Sequence, residues 1–467
     1  MLISKPNILL LVVDGFRADR CFGEKKTSIT PNLDKLIKNG IYFDKTISSA
    51  SMTFPSITSL MTSKYPFECL VEDKGLVVPH PNIINYFEKF SKKGYHIYSN
   101  NPKLIHHLGL ENICSCISKK YEDSKAVNNK LGQTILEQLK SKAILEPWLF
   151  YLHIYDLHDA EFFKIIKTNN FLSDKKFGDN KYERMVSAID VWLGKIFDEL
   201  DLKNTIIILT ADHGSVRGTL NKQTEKFYEK LVNQKSKNRS KTKLLEKIPK
   251  KLLSRNVDFV AKKLLNFKSL DLHDIQSTKS TTYEQRVLNY LVNPIENLYD
   301  DKLVVPLIFS GFNLPKNKII HDQVQSIDIF PTLAEILNFS DMNQDIRGRS
   351  LFSQIKGRNF KETPAFIECV TNSTKMPKED VIGIRTSEFK YFRNRNDAEK
   401  DVHLFDLKKD PLEENNIQES NHDIIKKMEE ILLTLQSGKG FSYDKGENLT
   451  DEEKKKAQEI FSKLGYI

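Results

Sequence analysis

The sequence predicts an α/β protein built on a doubly wound, mostly parallel sheet flanked by helices, with a small C-terminal antiparallel α+β subdomain. The first sign is alternation: across residues 7–337, short runs of Ile, Leu and Val alternate with helical patterns. Such runs read as strands buried on both faces, the kind found in parallel sheets covered by helices. The second sign is a change of texture after Pro364, where closely spaced short strands follow one another. The third is where the apolar runs stop. Ile8-Leu9-Leu10-Leu11-Val12-Val13 ends at Asp14, and Ile206-Ile207-Ile208-Leu209-Thr210 leads to Asp212-His213-Gly214. Trp148-Leu149-Phe150-Tyr151-Leu152 runs through His153 to Asp156 and His158. Ligands of such sheets sit outside the carboxyl ends of the strands, so these groups are expected along one rim.

Element by element, the chain is well punctuated. After the first strand, Thr30-Pro31 opens a short helix carrying Leu33, Leu36 and Ile37, and Gly40 closes it. Residues 182–200 place Met185, Ile189, Trp192, Leu193, Ile196 and Phe197 at helical spacing, directly before the strand that leads to Asp212. Short strands are expected at 365–370, 381–385, 389–393 and 402–405. A tail helix follows from Asp423, and a second helix start stands at Thr450-Asp451-Glu452-Glu453.

A fourth segment completes the expected site: Ser51-Met52-Thr53-Phe54-Pro55-Ser56-Ile57. Pro55 suits the first position of a helix, which would leave Thr53 just before the helix start, where backbone N–H groups and the positive dipole end favour an anion. A hydroxyl there can bind a metal and attack phosphorus or sulfur. Its structural alternative is a simple helix cap. Asp14, Asp212 and His213 are expected to ligate a divalent cation, because a buried strand end tolerates a carboxylate only when it is paired or metal-bound. His153 is expected to be packed core, and His106-His107 to lie at the surface.

The arrangement resembles the opening of the sulfatase family, within the alkaline phosphatase superfamily. Pro6 to Asp14, Thr30-Pro31-Asn32-Leu33-Asp34-Lys35-Leu36, Gly40-Ile41-Tyr42-Phe43, Thr53-Phe54-Pro55-Ser56 and Leu60-Met61-Thr62-Ser63-Lys64-Tyr65-Pro66 carry the likeness. So do Thr210-Ala211-Asp212-His213-Gly214, Ser326-Ile327-Asp328-Ile329-Phe330-Pro331-Thr332, Gly348-Arg349-Ser350-Leu351 and Leu404-Phe405-Asp406-Leu407 further on. The resemblance implies an alkaline phosphatase-like fold and a metal-dependent hydrolase or transferase that cleaves sulfate or phosphate esters through a covalent threonine intermediate. It gives Thr53 the nucleophile's place and His158 that of a group protonating the leaving oxygen. Asp156 is a further candidate for substrate or metal, and Lys302, just before the Val304 run, for a substrate oxygen; a lone lysine is otherwise usually solvated.

The chain also departs from the family pattern. Sulfatases proper carry Cys, processed to formylglycine, or Ser where Thr53 stands, and Arg where Ile57 stands. Thr in this place belongs to relatives that cleave or transfer phosphate esters. Gly15 replaces a second aspartate, and His213 beside Asp212 suits Mn or Zn better than a site of hard oxygens alone, though Ca and Mg remain open. No further basic ligand is evident before Val304, where Asn293-Pro294-Ile295-Glu296-Asn297 stands, which argues against a complete second metal site. The rival reading is a non-catalytic binding or scaffold protein on a degenerate sulfatase fold.

The expected domains are a catalytic core at 1–216 and 298–360, a basic, mainly helical insertion at 217–297, and a C-terminal small sheet with helical tail at 361–467. The insertion holds Lys235-Ser236-Lys237-Asn238-Arg239-Ser240-Lys241-Thr242-Lys243 and is read as a solvated excursion or as an arm that recruits a polymeric or membrane-surface anionic ester. The net charge of +9 on 467 residues favours anionic partners without singling out nucleic acid. No stretch approaches the ~18 apolar residues of a membrane span, and no signal pattern is evident, so a cytoplasmic protein is expected. The five cysteines lack zinc-site spacing and are expected to be buried free thiols.

Overall fold

The structure, a computed structural model, describes residues 5–219 and 298–437 except 74–75, 81, 119–124, 142, 359–360 and 370–379, together with 225 and 283–286. The expected basic insertion, apart from its edges, and the helix expected from Thr450 lie outside the described residues.

Strands β1 (Asn7–Val13), β2 (Gly40–Ile47), β5 (His96–Ser99), β6 (Cys114–Cys116), β7 (Trp148–Ile154), β8 (Thr205–Thr210), β9 (Val304–Gly311), β10 (Lys318–Ile320) and β11 (Val324–Gln325) form a nine-stranded sheet. β3 (Leu70–Asp73) and β4 (Leu76–Pro79) pair separately as a hairpin. The large sheet runs in the order β10-β2-β9-β8-β1-β7-β5-β6, with β11 beside β2. Only β9 runs against its neighbours β2 and β8; every other pairing in the sheet is parallel.

β1 lies between β7 and β8, pairing Leu10 with both Tyr151 and Ile208. Alternation divides its side chains between two cores. Ile8, Leu10 and Val12 join the layer that contains Tyr151, Ile208, Phe54 and Ile57. Leu9, Leu11 and Val13 join the layer of Ile207, Met185, Ile189 and Leu193 from helix Lys181–Asp198. Burial on both faces explains why the strand is a continuous apolar run.

The C-terminal strands β12 (Ala365–Cys369), β13 (Val381–Arg385), β14 (Phe389–Asn394) and β15 (His403–Asp406) form an antiparallel sheet in that order. Helix His422–Ser437 covers it with Met428 and Leu432, against Phe366, Ile382 and Tyr391. The small sheet is joined to the core beside the Thr53 segment. Glu368 in β12 bridges Ala50, donating its N–H to Ser49 O at 3.0 Å and accepting from Ser51 N at 3.2 Å. Among the described residues no helix is long and apolar enough to cross a membrane. All five cysteines are free, four of them buried and Cys116 half-buried.

Candidate metal centre and nucleophile

Three adjacent strands, β8, β1 and β7, bring their polar ends to one rim, on one face. Val12, Tyr151 and Ile208 point into the same core layer, so two residues further on Asp14, His153 and, past Thr210, Asp212 continue that face. Asp14 extends the ladder by donating its N–H to Ile154 O at 2.9 Å. Gly15 then turns the chain with φ +72°, a left-handed conformation that suits glycine, and its N–H donates to Asp212 Oδ1 at 3.2 Å. Gly214 is equally constrained: a Cβ there would come within 2.1 Å of Asp301 O.

Asp14, Asp212 and His213 are buried, and one ligand atom of each lies within 4.8 Å of the others. Thr53 stands on the same spot, its Oγ1 3.2 Å from Asp14 Oδ2 and 3.2 Å from His213 Nε2. His213 Nδ1 faces Gly214 O at 2.8 Å, which leaves Nε2 for the cluster. Burial pushes the His213 pKa down, Asp212 pulls it the other way, and nearby Lys302 adds to the effect of burial. Burial opposes ionisation of Asp14, yet the imidazoles of His158, His213 and His153 hold its carboxyl well below the usual range. Asp212 Oδ1 accepts from the N–H groups of Gly15 and His213, whereas Asp212 Oδ2, fully buried, makes no hydrogen bond. An orphaned buried carboxylate oxygen among carboxylate, imidazole and hydroxyl donors fits a divalent cation.

Helix Thr53–Thr62 starts at Thr53 itself, with extended Met52 as its cap, which corrects the expected start at Pro55. Pro55 takes the third position, where its missing N–H removes no helical bond, because the first one is made by Ser56 N to Met52 O at 3.1 Å. Ser48 Oγ lies 2.5 Å from Asp212 O, and Ser56 Oγ donates to Ala50 O at 2.7 Å, fixing the loop before the helix to the Asp212 turn. Ile57 is fully buried in the apolar layer, so the helix presents no cation there.

The other sequence candidates separate. His158 is half-buried on the loop after β7, its ring edge-on to Tyr155 at 5.9 Å, and near enough to Asp14 to help hold that carboxyl down. Lys302 lies on the turn before β9, its O accepting from Gly214 N at 2.8 Å. That turn is anchored on both sides: Asp301 pairs with Arg17 at 2.7 Å, and Asp300 with Arg385 at 2.7 Å and Lys390 at 2.5 Å. Asp156 is fully buried and its oxygens accept from Val127 N at 2.8 Å, Asn128 N at 3.0 Å and Asn128 Nδ2 at 2.8 Å, so it anchors a neighbouring segment. His107 also departs from expectation: it is half-buried and packs edge-on against Phe54 at 4.7 Å, and burial pushes its pKa down to about 4. His153 is buried as expected, but its Nε2 faces the carboxylates, 3.5 Å from Asp14 Oδ2 and 4.0 Å from Asp212 Oδ2. Strand parity beside Val12 was the signal that could have found it.

A sequence model of the sulfatase family matches residues 6–339, and a model of the C-terminal region of N-sulphoglucosamine sulphohydrolase matches residues 296–438. Arylsulfatase H of Canis lupus familiaris is 36% identical over 64 residues, which is 14% of this chain and 11% of that protein. The chain therefore matches only a small part of that relative's length. Among solved structures, phosphonate monoester hydrolase of Agrobacterium radiobacter superposes with a TM-score of 0.61 at 15% identity, covering 93% of this chain and 96% of that one. The 2-O GAG sulfatase BT1596 superposes with a TM-score of 0.60 at 14% identity, covering 98% and 94%. These likenesses establish the fold.

Proposed function

The chain belongs to the sulfatase family, and on that premise we propose that it is a metal-dependent hydrolase of phosphate or sulfate esters that works through a covalent intermediate on Thr53. The observation that carries the reading is the convergence of the Thr53 hydroxyl, 3.2 Å from Asp14 and from His213, with a buried carboxylate oxygen that has no hydrogen bond. Asp14, Asp212, His213 and Thr53 are the residues that would hold a divalent cation. When bound, the cation lowers the pKa of the hydroxyl and neutralises charge on the transferred group.

Thr53 Oγ1 attacks phosphorus or sulfur in line, forming the Thr53 oxygen bond as the ester oxygen leaves. The hydroxyl proton would be lost to solvent before the attack, a loss that a bound cation would favour, and would return when the intermediate is released; Asp14 Oδ2, which accepts the hydrogen bond from Thr53, would stay a carboxylate throughout. His158, protonated, gives its proton to the departing alkoxide. Neutral His158 then takes a proton from the water, or the acceptor alcohol, that attacks the phospho- or sulfo-threonine and frees the hydroxyl. Lys302, whose charge is felt at His213, would hold an oxygen of the anionic substrate. A threonine nucleophile rules out the formylglycine route, which favours phosphate over sulfate esters.

The test is rapid quenching during turnover of aryl phosphate, phosphodiester, phosphonate and sulfate esters, followed by peptide mass spectrometry. The reading expects a phosphoryl or sulfuryl adduct on Thr53. Turnover with label on another residue, or release of product without any adduct in acid-quenched protein, would overturn the covalent route.

A further inference from the structure

The donor atoms around the centre form a closed ring with one member that the proposed function leaves unused. Thr53 Oγ1 is 3.2 Å from His213 Nε2, which is 3.5 Å from Asp212 Oδ2. Asp212 Oδ2 is 4.0 Å from His153 Nε2, which is 3.5 Å from Asp14 Oδ2, and Asp14 Oδ2 returns to Thr53 at 3.2 Å. Two of the five atoms, Asp212 Oδ2 and His153 Nε2, are buried and make no hydrogen bond. Leaving such an atom unsatisfied is costly, so a fold that points two of them at one place has a partner for both.

We propose that His153 is a further direct ligand of the cation held by Asp14, Asp212 and His213, bound through Nε2, and that it selects a first-row transition ion such as Mn or Zn over Ca or Mg. This rests on the metal-centred reading of the site. The distances from His153 to the carboxylates exceed a hydrogen bond, but suit atoms that share an ion, since ligands about 2.0–2.2 Å from one centre stand roughly 3–4 Å apart. The ring is held for the purpose. Nδ1 lies 2.6 Å from the Tyr151 hydroxyl; with the proton on Nδ1 donated to that oxygen, this is the outer hydrogen bond that orients a ligating imidazole and leaves the Nε2 lone pair facing inward. Tyr155 stacks on the ring at 4.3 Å and 12°. Asn100 fixes the backbone from both sides, accepting from His153 N at 2.7 Å and donating to His153 O at 2.9 Å. The turn after β1 supplies only Asp14, because Gly15 has no side chain. Two imidazoles among oxygen donors suit a borderline cation rather than a hard one.

The experiment uses the full chain, stripped of metal and reloaded with one equivalent of Zn, and counts imidazole ligands by X-ray absorption. Two are expected in the wild type and one in His153→Gln, with Zn affinity reduced about 100-fold or more and Ca affinity changed far less. Circular dichroism of the metal-free variant checks its fold; if it does not fold, the wild-type count decides alone. Zn bound with a single imidazole, or a count that His153→Gln leaves unchanged, overturns the assignment and leaves the metal centre standing. No stoichiometric Zn, Mn, Ca or Mg on the wild type overturns both.

Discussion

Arg17 and Asp301 form an ion pair of 2.7 Å with side chains only 7% and 5% exposed. It joins the loop after Asp14 to the turn that carries Lys302, two sides of the site that are far apart in sequence. Removing one partner of a buried pair leaves the other charge poorly compensated, at a cost of about 3 kcal/mol. Asp301→Ala should therefore lower unfolding free energy by about that amount in urea titrations, softened by the remaining Arg17–Asp19 contact at 2.8 Å. A loss below about 0.5 kcal/mol would mean that the pair adds nothing to the frame.

Thr53→Ala should cut turnover by at least about 1000-fold while melting temperature and bound metal stay near wild type, because it removes the attacking atom and one of several ligands. Thr53→Ser keeps the hydroxyl and should retain measurable turnover. If the alanine variant keeps more than a few per cent of activity, Thr53 serves only to start its helix.

Asp212→Asn should weaken the divalent ion by about 10- to 100-fold in competition titrations, since it removes the charge from an oxygen that has no hydrogen bond. The amide should restore little of the activity at saturating metal if charge neutralisation at phosphorus matters. Unchanged affinity would place the ion elsewhere.

His158→Asn should discriminate between leaving groups. Alkyl esters, which depart as strong bases, should lose about 100-fold or more in kcat, and nitrophenyl esters less than about tenfold. An equal loss on both would make His158 a substrate-positioning group, with no role in protonation.

Glu368, on the strand that bridges Ala50, gives a pH signature of its own. Burial raises its carboxyl from 4.5 to about 7, against the opposing pull of Arg395 at 2.9 Å, with Asp380 raising it further. The folded state thus holds a proton that the unfolded chain releases, so this residue's contribution to stability is greatest at acid pH and declines as pH rises from about 4.5 to about 7. In Glu368→Gln that decline should vanish, and the variant should gain on wild type by about 3 kcal/mol between pH 4.5 and 7.5. Parallel stability profiles for the two proteins would refute the assignment.

The sequence by itself determined the strands, because a run buried on both faces must be apolar throughout, as in Asn7–Val13 and Thr205–Thr210. It also determined which strand ends carry polar groups, and so it pointed to Asp14, Asp212 and His213. Tertiary structure decided what those ends face. Asp156 and His153 look alike on one sequence stretch, yet Asp156 turns to Val127 and Asn128, and His153 turns to Asp14 and Asp212. Local periodicity sets the face on which a side chain stands. Which of its atoms find partners depends on segments brought alongside by folding: Asp14 and His153 are 139 positions apart, Thr53 and His213 are 160 apart. No window of sequence contains that pairing, because it is fixed by the order in which β8, β1 and β7 lie side by side.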